Sequence, residues 1–133
     1  MGLIFLFNPV LSQEYIVGHS IAKESVLRSI PVEYINKARS ELVVAYQHTS
    51  HGTHVSRGMY GLPDYKPGDN LLFGISLTKS PGKLEFRDNT MEDYAPEGVD
   101  GRDISKADGD ILQTTRNFLD APENASVNVL MWA

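Results

Sequence analysis

The stretch Leu42-Val43-Val44-Ala45-Tyr46-Gln47-His48-Thr49-Ser50-His51-Gly52-Thr53-His54 limits what this chain can fold into more than any other. An apolar run of strand length empties directly into hydroxyls and imidazoles, and residues 55–59 can open a helix. In α/β folds, reactive groups gather where a strand ends and a helix begins. Backbone N–H groups there point at incoming negative charge, and the helix dipole favours it. The turn around Ser50 is therefore the first place to look for chemistry.

The flanking sequence supports such a sheet. Residues 20–39 carry apolar side chains at Leu27, Ile30, Tyr34 and Ala38, spaced by three or four, which predicts helix. Pro31 divides this region into two short pieces, or ends one helix just before it. Residues 41–47 read as the first strand. Residues 63–103 are dense in Pro, Gly, Asp and Asn, so turns dominate, with weak strand signals at 71–75 and 84–86. Asp108 suits a helix N-cap, and Ile111, Leu112, Thr115, Phe118 and Leu119 follow as an apolar face. Ala121-Pro122-Glu123-Asn124 ends that helix, and residues 127–132 read as a second clear strand. Strand, helix, strand in this order predicts an α/β fold: a partial parallel sheet with crossover helices.

Composition narrows the function classes. With 133 residues the chain holds one domain at most. Its formal charge of −5 and twelve scattered basic residues argue against nucleic acid as a partner. The absence of cysteine removes disulfides, thiolate metal sites and cysteine nucleophiles. No apolar run approaches the roughly 20 residues a membrane span needs. Residues 1–13 resemble the end of a secretory signal, without its basic start, and residues 3–7 read alternatively as a first core strand. The expected organisation is a truncated signal segment over 1–13 and a single α/β domain over 14–133, with the domain incomplete because the second clear strand ends at Ala133.

Three chemistries compete for the 48–54 cluster. Ser50 as a nucleophile needs a base to take its proton, and a third group to orient that base. His51 is its immediate neighbour and leaves the backbone in another direction, while His48 lies roughly 7 Å away along an extended strand. A metal site of His48, His51 and His54 has the right residue type for zinc, but not a known spacing. Capping is the third reading: Thr49, Ser50 and Thr53 are natural N-cap residues, and spacing alone favours it. Elsewhere, Asp100, Asp103, Asp108 and Asp110 lack the EF-hand spacing and read as a solvated acidic loop. Asn124-Ala125-Ser126 matches a glycosylation sequon, and Trp132 reads as core. Neither a metal nor a cofactor is expected.

The stretch Val43-Val44-Ala45-Tyr46-Gln47-His48-Thr49-Ser50-His51-Gly52 resembles the opening strand and nucleophile turn of extracellular bacterial proteins related to the SGNH (GDSL-like) hydrolases. The resemblance extends in outline over residues 41–133, and the His-Thr-Ser-His-Gly turn is its specific part. It implies a flavodoxin-like, SGNH-like sheet and a secreted ester or acyl hydrolase of which this chain is the N-terminal portion. It further implies Ser50 as the nucleophile, Gly74 as a candidate oxyanion glycine, and His48 and His51 in support. The substrate would be a small ester or a glycan-linked acyl group. The family's Gly-Asp-Ser reads His48-Thr49-Ser50 here, and its Asp-x-x-His segment has no counterpart. The alternative is a non-catalytic extracellular binding or self-assembling module that retains part of that fold, its exposed strand edge at residues 127–132 open to strand addition or to pairing as a homo-oligomer.

Overall fold

A computed structural model describes residues 18–103 and 108–133. The signal-like segment and the alternative strand at 3–7 lie outside the described residues. The chain divides between Ile30 and Pro31 into two compact units. The described part of the first unit holds a 3₁₀ turn, His19–Ile21, and a short helix α1, Glu24–Arg28. Arg28 Nε donates to Glu24 Oε1 at 2.6 Å, one helical turn away.

The second unit carries the sheet. Helix α2 (Val32–Glu41) starts after Pro31, whose fixed φ of −57° suits the entry to a helix. Strand β1 (Val43–Gln47) follows and is buried at every position. Helices α3 (Thr53–Gly61) and α4 (Asp69–Leu72) come next, then strands β2 (Ile75–Ser76) and β3 (Leu84–Asp88). Helix α5 (Asp108–Asp120) and strand β4 (Val129–Trp132) close the unit. The weak strand signal at 71–75 is corrected at Leu71 and Leu72, which end α4. Gly68, at φ 90°, opens that helix in a backbone conformation that glycine adopts without strain.

The sheet order is β2-β3-β1-β4, and every pair is parallel. This is an α/β fold consistent with part of a flavodoxin-like sheet. The chain leaves β1 in one direction for the edge strand β2, steps back to β3, and then crosses β1 to reach β4. Right-handed crossovers in opposite directions put their helices on opposite faces. The core agrees: Val44, Tyr46 and Phe86 pack with Met59 of α3 on one face, and Ala45 and Met91 pack with Phe118 of α5 on the other. A strand covered on both faces is apolar throughout rather than alternating, which is why β1 was so plain in the sequence.

Asn128 sets the register of β4 against β1. Its Oδ1 accepts from Val43 N–H at 2.9 Å, its Nδ2 donates to the Glu41 carbonyl, and its own N–H reaches Val43 O. The sequon asparagine is equally committed. Asn124 is buried, its Oδ1 accepting from Arg87 and its Nδ2 donating to Phe118 O at 2.9 Å. A side chain held this way is structural rather than a glycan acceptor.

A candidate site at the carboxyl ends of the central strands

β1 hands over to α3 through a single 3₁₀ turn, Ser50–Gly52. Ser50 sits at φ 45°, in the left-handed region that non-glycine residues seldom occupy. Its side chain is exposed, and its hydroxyl makes no hydrogen bond among the described residues. Neither the 3₁₀ turn nor α3 has a side-chain cap, so the capping reading of Thr49, Ser50 and Thr53 is corrected. Gly52 explains how the turn closes. A Cβ there would lie 2.4 Å from His48 Cβ and 2.9 Å from Tyr46 Oη, and Tyr46 Oη donates to Gly52 O at 3.1 Å. The Ser50-x-Gly52 spacing is the sequence trace of this close approach.

His48 does not serve Ser50. Its imidazole turns under α3, stacks 4.8 Å from the Tyr46 ring, and places Nε2 3.0 Å from Ser56 Oγ and 3.2 Å from Asp88 Oδ1. Ser56 Oγ donates to Asp88 Oδ1 at 2.6 Å, so it is left to accept from His48. That network assigns the imidazole proton to Nε2. Nδ1 is enclosed and has no partner among the described residues. Ser56 is buried at 5 % exposure, which makes this cluster a bracket between β1, α3 and β3, not an accessible catalytic set.

The other candidates fall apart in space. His51 and His54 are exposed. Gly74 precedes β2, and its carbonyl accepts from Leu84 N–H at 2.9 Å, at the amino ends of the strands. Ser50 is at the carboxyl end of β1, so a strand of five residues, roughly 16 Å, separates the two levels. Gly74 is glycine for a packing reason: a Cβ would meet Asn70 O at 2.9 Å. The structure does not bring it to Ser50. Among the described residues no three His, Asp or Glu side chains stand close enough to hold a metal ion.

A crevice of about 180 Å³ opens beside the turn, lined by Gln47, His48, Thr49, Gly101, Arg102, Ile111, Trp132 and Ala133. It lies where β1 and β4 end side by side, between the crossover that leaves β1 and the one that arrives at β4 on the opposite face. This reversal point is where open α/β sheets bind their ligands. Trp132 forms part of its wall and donates its indole N–H to Thr115 Oγ1 at 3.1 Å, so it is a pocket residue as well as a packing one. Compared with family models, curated proteins and solved structures, the chain finds no match.

Proposed function

We propose that this chain belongs to an SGNH-like ester or acyl hydrolase acting outside the cell, with Ser50 as the nucleophile. One observation carries the reading: an exposed hydroxyl, without a hydrogen bond among the described residues, is held in a strained backbone conformation at the end of the central parallel strand. Strain of this kind costs on the order of 1–3 kcal/mol and persists where the surrounding structure imposes it, often at functional turns. N–H groups at the amino end of a helical turn lack intrahelical acceptors, so they can donate to an oxyanion formed there. In the proposed step Ser50 Oγ bonds to the acyl carbon, a base takes the serine proton, and the alcohol leaves with a proton. Water then releases the acid. His51 and His54 stand near the turn in sequence with no partners among the described residues, whereas His48 is committed to Ser56 and Asp88.

The test uses the full native gene product, p-nitrophenyl acetate and a fluorophosphonate probe. Hydrolysis and a label mapped by peptide mass to Ser50 are expected, and Ser50→Ala removes both. An unchanged rate in Ser50→Ala, or a label on another residue, overturns the assignment.

A second reading has its own support. β4 is the end strand of the sheet order, with β1 on one side only among the described residues. Such an edge can pair with a second copy of the chain. Concentration-dependent light scattering, with no labelling of Ser50, would favour this assembling module over the hydrolase.

A further inference from the structure

Gln47 closes β1 in register with Trp132, and the residue is 2 % exposed. Its Oε1 accepts from Met91 N–H at 2.9 Å. This bond fixes which way the carboxamide faces, because turning it over would set its NH₂ against another donor. Nε2 is left with no hydrogen bond among the described residues, yet it is not one of the fully enclosed orphans such as His48 Nδ1. Gln47 lines the crevice, and its unpaired Nε2 is the polar group its side chain can present there. A donor so deeply placed costs free energy until something accepts from it.

The remaining walls define what that acceptor is attached to. Ile111 and the Trp132 indole are apolar surfaces, and the indole N–H is already used by Thr115. Gly101 brings bare backbone to the third side, since a Cβ there would lie 2.1 Å from Glu92 O. The Arg102 guanidinium at this side is paired with Glu92. At about 180 Å³ the crevice is smaller than the roughly 300–1,000 Å³ of clefts for drug-sized molecules. Among the described residues it sets the Gln47 carboxamide in a short, mostly apolar slot that Thr49 also borders.

We propose that this crevice is a subsite for a short acyl group, whose carbonyl oxygen accepts from Gln47 Nε2 while its alkyl part lies against Trp132 and Ile111. The inference rests on the Ser50 reading for its biological meaning, but binding in the crevice requires no reaction. The chain contains one tryptophan, and it stands in the crevice wall, so intrinsic fluorescence reports occupancy directly.

Butyramide, an unreactive carbonyl probe, is titrated into the native protein while Trp132 emission is read. A saturable change with half-saturation in the millimolar range is expected. Gln47→Glu keeps an acceptor for Met91 N–H but replaces the donor, and it weakens binding at least tenfold. Ile111→Phe narrows the slot without touching Gln47 and also weakens binding, so a folding failure of the first variant leaves the second as the test. Absence of saturable change in the native protein, or unchanged affinity in a folded variant of either kind, overturns the subsite. Binding without Ser50 acylation therefore sinks only the hydrolase, and Ser50 acylation without butyramide binding sinks only the subsite.

Discussion

Two neighbouring residues at the turn respond to substitution in opposite ways. Ser50 pays a backbone cost at φ 45° that glycine does not. Ser50→Gly is expected to raise stability by up to about 1 kcal/mol in urea unfolding, while acyl labelling is lost. Gly52→Ala is expected to lower stability by roughly 1–3 kcal/mol, because the new methyl meets the His48 and Tyr46 side chains. Equal stability in Ser50→Gly and the parent would mean that the turn stores no strain. The sequence showed Ser50 and its histidines, but it hid what His48 does. Its partners come from eight residues downstream on α3 and forty downstream at the end of β3, and only the tertiary fold joins them. Gln47 was hidden for another reason: a polar residue ending an apolar run reads as a boundary, not as a buried donor.

Among the elements, those with strong periodicity or long apolar runs were legible, and those set by contacts were not. β1, β3, β4 and α3 stand where the pattern puts them, within a residue or two at their ends, and the helical region breaks at Pro31 as expected, although its first α-helix starts only at Glu24. The inward face of α5 does not. Leu112 is 62 % exposed and Leu119 46 %, while Thr114 is fully buried. The face runs through Ile111, Thr114, Thr115 and Phe118, at the helical spacing of three and four from Ile111, and the Thr114 hydroxyl disguises that stripe in the sequence. Thr114 Oγ1 has no partner among the described residues. Thr114→Val keeps the shape and removes the unsatisfied oxygen, so a gain of about 1–2 kcal/mol in unfolding free energy is expected. Phe118→Ala, on the same face, is expected to lose about 3–5 kcal/mol, because it empties the packing against Ala45 and Met91. A neutral Thr114→Val would show that water satisfies the hydroxyl in solution.

At the scale of the whole molecule, alkaline pH is the condition that should test the fold. Burial, and then the nearby Asp88 carboxylate, raise the Tyr46 and Tyr60 phenols above their usual value of 10.0. Tyr94 is raised chiefly by its hydrogen bond to Glu123, with burial adding to it. These three side chains hold different faces together: Tyr46 bonds the Gly52 carbonyl, Tyr60 the Phe86 carbonyl, and Tyr94 the Glu123 carboxylate. A folded pKa above the unfolded one means that the folded chain keeps protons the unfolded chain has released. Their contribution to stability is therefore complete below pH 10 and is lost as pH rises through the folded values. Unfolding free energy should fall from about pH 10 upward, and the 295 nm phenolate absorbance of these tyrosines should rise together with loss of near-ultraviolet dichroism. Tyr46→Phe and Tyr60→Phe should each flatten the alkaline limb, since each removes one phenol whose ionisation favours the unfolded chain. If every tyrosine ionises near pH 10 while the dichroism is intact, the phenols titrate freely in the folded protein, and the packing of Tyr46 between β1, the Ser50 turn and α3 is wrong.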